Sequence, residues 1–206
     1  MKVLDSLKDE VKIRMKNDSA HDFQHIMRVY KNAQKIYKKE NANKKLVLSA
    51  VLLHDIVSYP KSDNPSKISS IESAKKSKQI LKKYDFTKEE IIIISDAIRD
   101  HSFSQNKIPN TLEGKILQDA DRLDALGAIG IARVFATGGS LRRPFYNMND
   151  PFCKRRTPDD KIWTIDHFFQ KLLKLESSMN TKSGKEEAKK RTKILRTFLN
   201  QLKNEL

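Results

Sequence analysis

Apolar residues return every third or fourth position along most of this chain, the spacing that lines one face of a helix, and they do not settle into strict alternation. The pattern predicts a first helix over residues 3 to 17. The polar run NDSAHD interrupts it, and a second helix follows from about His21 to Glu40, with Phe23, Ile26, Val29, Tyr30, Ala33 and Ile36 on its apolar face. A third, from about Lys44 to Val57, shows Leu46, Val47, Leu48, Ala50, Val51, Leu52 and Leu53 to a core. That apolar run ends on His54 and Asp55. A buried ionisable pair costs several kcal/mol unless a partner or a metal compensates it, so something must face the pair.

The punctuation between helices is equally regular. Pro60 and Pro65 bracket a polar loop, and Pro65 suits the start of a fourth helix reaching about Tyr84. Thr87 with Glu90 forms a capping-box pattern for a fifth, which ends near His101. After FSQNKIPN a long segment begins at Thr111 and contains EGKILQDADRLDALGAIGIARVFA, where Gly127 and Gly130 suit close packing or a bend. The span 137–156, TGGSLRRPFYNMNDPFCKRR, has two Gly, two Pro and no period, and reads as a lid-like loop. Thr157, Pro158 and Asp160 fit the start of another helix, and Ser183 with Glu186 repeats the capping pattern for the last. The expected architecture is all-α, one domain over residues 1–206.

Composition agrees: 38% of residues are hydrophobic and 33% charged, with only six Gly and six Pro. Cys153 is the one cysteine and has no internal disulfide partner. With neither a signal-peptide pattern nor an apolar run long enough to span a membrane, the expected location is a reducing cytoplasm, without membrane contact. The net charge of +15 comes from 41 Lys and Arg against 26 Asp and Glu. Most lysines are spread over helix faces, as in KNAQKIYKKENANKK and KEEAKKRTKILR, which are solvated polar faces rather than a nucleic-acid motif. No oligomeric state follows from any of this.

Four of the five histidines fall in three short segments rich in carboxylates, HDFQH at 21–25, HD at 54–55 and RDH at 99–101, and a fourth segment, DADRLD, adds three acids. His21 and His25 share a helix face, while Asp119, Asp121 and Asp124 spread over neighbouring faces. Nitrogen and oxygen donors without thiolate suit Mn²⁺, Fe²⁺, Co²⁺, Ni²⁺ or Zn²⁺, whereas an all-oxygen site would suit Mg²⁺ or Ca²⁺. His167 lacks such company. It lies in an aromatic stripe with Trp163, Phe168 and Phe169 and takes a packing role.

With AHDFQHIMRVY, LLHDIVSYP, AIRDHSFS and KILQDADRLDALGAIGIARVFATGG in that order, the sequence resembles the HD-domain metal-dependent phosphohydrolases, in particular their small single-domain branch, to which DHFFQKLLKLESSMNT is also similar. The resemblance covers nearly the whole chain. It implies an HD-domain helical bundle and a divalent metal ion, Mn²⁺ first, with Mg²⁺, Co²⁺, Ni²⁺, Fe²⁺ or Zn²⁺ as alternatives. It implies His25, His54 and Asp55 as metal ligands, with Asp121 as the fourth and Asp119 as the other aspartate for that place or for orienting a ligand or water. Asp124 instead suits a pair with a neighbouring base.

The same resemblance implies a phosphorylated small molecule, a nucleotide, as substrate. His21 and His101, with Asp119 and Asp121, are the candidates for proton transfer, and Lys61, Arg122, Arg142 and Arg143 for phosphate contacts. Two other functions fit parts of the sequence: a non-catalytic basic module that binds nucleic acid, and a non-phosphate hydrolase or hydratase on the same scaffold. Duplex DNA separates the first of these. If the charge is a solvated surface, binding to DNA is weak and falls about 10³- to 10⁵-fold between 50 and 200 mM salt; tight, sequence-selective binding at 200 mM salt, read by fluorescence anisotropy, overturns that view.

Overall fold

The computed structural model describes residues 2–15, 23–59 and 68–206. Their described elements are helical: α1 (Lys2–Arg14), α2 (Phe23–Glu40), α3 (Lys44–Leu53), α4 (Ser69–Leu81), α5 (Lys88–Asp100), α6 (Leu112–Asp124), α7 (Gly127–Ser140), α8 (Asp166–Gln170) and α9 (Lys182–Glu205), with short 3-10 turns between some of them. No strand occurs among the described residues, and no described helix is long and apolar enough to cross a membrane. The chain divides into two compact units, residues 1–121 and 122–206, with the boundary inside the last turn of α6.

The first unit is built around α3, which packs against α1, α2, α4 and α5. Every residue from Leu46 to Leu53 is buried, as expected of a helix apolar on all sides. Asn43 starts it, its side chain accepting from the backbone N–H groups of Lys45 at 3.0 Å and Leu46 at 3.3 Å. The helix ends at Leu53, four residues before the expected Val57, and His54 is its cap. The reason is local. Ile56 donates back to the carbonyl of Leu53 in a tightened turn, and Val57 exchanges both backbone bonds with the Ser73 hydroxyl on α4.

Helix α5 lies beside α3 in the same sense. The Thr87–Glu90 capping box that the sequence predicts is present, and Lys45 at the start of α3 reaches Glu90 at the start of α5 at 2.9 Å and the carbonyl of Asp85 at 2.8 Å. At their other ends the rings of His54 and His101 stand 5.0 Å apart. Tied starts therefore bring two helix C-termini to one place.

In the second unit α7 runs through TGGS to Ser140, so the irregular stretch begins at Leu141 instead of Thr137. Gly138 explains this: a Cβ there would stand 2.3 Å from the Thr164 hydroxyl, so the glycine permits close approach rather than breaking the helix. Between α6 and α7 the chain does turn, with Gly127 at a positive φ of 71°. Phe135, Phe145, Phe168 and Phe198 make the aromatic core of this unit.

The helix expected at Thr157 does not form. The residues of its intended first turn are engaged elsewhere: the Asp159 N–H donates to the buried carboxylate of Asp166 at 2.6 Å, and the Asp160 carboxylate pairs with His167. Arg156 completes that anchor with two bonds to Asp166. Helix α9 is capped by Thr181, whose hydroxyl accepts from Gly184 at 3.0 Å, two residues before the expected Ser183.

Truncating α3 should reveal how far the first unit depends on it. Leu52→Ala, at a fully buried position, is expected to cost about 2–5 kcal/mol in denaturant unfolding, and Ile13→Ala, 84% exposed, about 0.5 kcal/mol or less.

Candidate metal centre

Four helices of the first unit deliver the donors. His25 comes from the first turn of α2, His54 and Asp55 from the end of α3, His101 from the end of α5, and Asp121 from the last turns of α6. The ligand atoms of His25, His54 and Asp121 lie within 4.8 Å of one another, as do those of His54, Asp55 and His101, so either group could hold a metal ion. His25 Nε2 stands 3.4 Å from Asp121 Oδ1 and 3.7 Å from Asp55 Oδ2, and His54 Nε2 is 3.6 Å from that same Asp55 oxygen. Asp55 Oδ1 faces His101 Nε2 at 3.8 Å. Two ligands of one cation at bond lengths of about 2.0–2.2 Å stand about 3 to 3.6 Å apart, which these separations approach.

The histidines at the two helix ends are held alike. His54 Nδ1 lies 2.7 Å from the carbonyl of Val51, and His101 Nδ1 lies 2.6 Å from that of Ile98. A carbonyl only accepts, so each Nδ1 carries the proton and each Nε2 presents a lone pair to the cluster. His54 is fully buried, and its Nε2 has no hydrogen-bond partner among the described residues. An unpaired buried imidazole nitrogen aimed at two carboxylates fits a cation and fits little else. The C-termini of α3 and α5 add the negative ends of two helix dipoles.

Electrostatics favour the ligating forms. Burial pushes His54 below the ordinary imidazole value; Asp55 and Asp121 oppose this, and His101 and His25 reinforce it. Burial works to raise Asp121, but His25, by hydrogen bond and charge, together with His54 and His101, outweighs it and holds the carboxyl well below its usual range. A neutral imidazole and an ionised carboxylate are the states that bind a metal.

The other expected residues are placed as follows. His21 and Lys61 lie outside the described residues. Asp119 is fully buried on α6, about 200° around the helix axis from Asp121, and belongs to neither cation-holding group. In the second unit, Asp124 accepts from Arg133 at 2.5 Å, and Arg122 donates to the carbonyl of Ser178 at 2.5 Å. Arg142 is exposed, with a positive φ of 52°, and Arg143 is half-buried, its charge helping to lower the pKa of Asp160 after the larger effect of His167. His167 Nδ1 pairs with Asp160 at 2.6 Å.

Sequence reasoning missed Asn32. Its side-chain amide, on the buried face of α2, donates to the carbonyl of Ala120 at 3.1 Å and so ties the helix bearing His25 to the residue before Asp121. The available signal was an amide in the stripe formed by Val29, Ala33 and Ile36.

An all-helical scaffold carrying histidine and aspartate at helix ends around one cation-holding cluster defines a metal-dependent hydrolase of the HD class. The chain belongs to the HD domain family, whose model matches residues 22–126 and so spans all five donors. It is 33% identical over 193 residues to the YpgQ protein of Bacillus subtilis (strain 168), covering 91% of this chain and 85% of that one. Among solved structures, an HD-superfamily hydrolase from Bacillus thuringiensis superposes with a TM-score of 0.78 at 34% identity, over 99% of this chain and 96% of that one. Bacillus subtilis YpgQ in complex with ADP also gives 0.78, at 31% identity, over 100% and 95% of the two chains.

Elemental analysis tests the cluster. Chelated and dialysed protein is expected to take up a divalent ion, and His54→Ala or Asp121→Ala to lose most of that uptake; full occupancy in both variants excludes this cluster as the binding place.

Proposed function

We propose that the chain is a phosphohydrolase acting on a nucleotide, with His25, His54, Asp55 and Asp121 as ligands of a divalent cation, Mn²⁺ first. The observation that carries the proposal is the buried His54 Nε2 without a hydrogen-bond partner among the described residues, facing two carboxylates. The ADP complex of YpgQ, whose chain this one covers to 95%, supports a nucleotide. When bound, such a cation lowers the pKa of a coordinated water and acts as a Lewis acid on a phosphoryl oxygen.

The residues themselves do the remainder. The carbonyls of Val51 and Ile98 fix the tautomers of His54 and His101, so that Nε2 of each is the basic nitrogen. Asp55 divides its two oxygens, Oδ2 towards His25 and His54 and Oδ1 towards His101. His101 Nε2 is thus placed to accept a proton from a water that enters beside Asp55 Oδ1. His21 and Asp119 remain candidates for proton transfer or orientation. For the phosphates we retain Lys61, which follows the HD segment along the chain, and Arg122, the neighbour of Asp121, with Arg142 and Arg143 after them.

Product analysis over a nucleoside triphosphate panel, with Mn²⁺, Mg²⁺, Co²⁺ or Ni²⁺ added in turn, tests this. Phosphate or pyrophosphate release is expected, abolished in Asp55→Ala, while Lys61→Ala keeps the metal and raises KM. No release with any ion, from protein whose metal content is full, rejects nucleotide phosphohydrolysis in favour of a non-phosphate reaction.

A further inference from the structure

Helix α5 ends at Asp100, and its last carbonyls have no acceptor role left within the helix. Gln118 of α6 supplies the missing donor. From a fully buried position its Nε2 donates to the carbonyls of Asp100 at 3.2 Å, His101 at 3.2 Å and Lys107 at 2.9 Å. An amide has two N–H groups, so one is shared between the adjacent carbonyls of Asp100 and His101 and the other holds Lys107. One side chain therefore closes both ends of the loop from His101 to Lys107, which turns back through Asn106 at a positive φ of 49°.

His101 consequently has two anchors, its main chain on Gln118 and its ring Nδ1 on the carbonyl of Ile98 at 2.6 Å. Held this way, its Nε2 stands 3.8 Å from Asp55 Oδ1. These three acceptors of Gln118 belong to the end of α5 and its loop, and His101 is the one donor of the cluster among them.

We infer that Gln118 is the positioning residue for His101, acting on the reaction through that imidazole and not through the cation ligands His25, His54, Asp55 and Asp121. The inference rests on hydrolysis at this cluster as proposed above. Misplacing a catalytic group by about 1 Å costs about 10²-fold, so loss of the Gln118 donor should appear in kcat more than in KM.

The test compares Gln118→Met, equal in length but without the donor, with wild type and with His101→Ala. Expected are a kcat lowered about tenfold or more with near-wild-type metal content and KM, and almost no further loss, about twofold at most, when Gln118→Met is added to His101→Ala. A multiplicative loss in the double variant overturns the inference. An arm independent of turnover uses ¹⁵N–¹H imidazole spectra of the chelated protein, with the His101 signals assigned from their disappearance in His101→Ala. Wild type should show the Nδ1–H tautomer at His101, and Gln118→Met a shifted or mixed form while His54 is unchanged; unaltered His101 signals in the folded variant overturn the inference. If Gln118→Met does not fold, Gln118→Asn keeps the amide but reaches only one end of the loop, and the same comparisons apply to it. Should no nucleotide be hydrolysed, the substrate reading fails while the spectra still decide the role of Gln118.

Discussion

The first unit is organised by the burial of one imidazole. His54 is wholly removed from water, and its Nε2 would be a net cost without a compensating positive charge. That cost explains why α3 is apolar on every side: a helix that must not move at its end needs close packing along its length. It also explains the neighbours. Asp55, Asp121 and two helix C-termini bring negative potential to a place where cationic histidine is disfavoured by burial, which leaves a metal ion as the fitting occupant.

Register between helices follows from small polar devices. Lys45 on Glu90 fixes the starts of α3 and α5, and Asn32 on the Ala120 carbonyl fixes α2 against α6. Each is a donor placed where an apolar side chain would pack with no preferred register. A hydrophobic core tolerates sliding by fractions of an ångström; a hydrogen bond to a carbonyl does not.

The helices and the donors were legible in the sequence because both obey short-range rules. Helical periodicity located the buried faces, Thr87 and Glu90 declared the start of α5, and three histidine–carboxylate segments followed by the acidic DADRLD marked the cluster. What escaped was decided by partners that helical periodicity does not name. Asp160 looks like a first-turn acid until His167 takes its carboxylate, and the Asp159 N–H turns to Asp166. Gly138 looks like a breaker until Thr164 packs against it, and Thr181 outbids Ser183 as a cap because its hydroxyl meets Gly184. Asn32 and Gln118 were invisible for the same reason, since their acceptors lie on other segments of the chain.

The repeated ending of α3 and α5 bears on how labour is divided in the cluster. Both helices finish on a histidine whose Nδ1 donates to the carbonyl three residues earlier, at nearly equal distances, so both rings present the same basic nitrogen. What differs is the company. His54 Nε2 shares one oxygen of Asp55 with His25, whereas His101 Nε2 faces the other oxygen of the same carboxylate. A carboxylate used on both oxygens couples the two sides, since a charge held on one side withdraws electron density from the oxygen facing the other. On the reading proposed above, His54, enclosed and without a hydrogen-bond alternative among the described residues, is the fixed ligand, and His101 is the group that handles the proton. The sequence distinguishes them only by order, HD in one segment and DH in the other. The geometry does so by which oxygen of Asp55 each one meets.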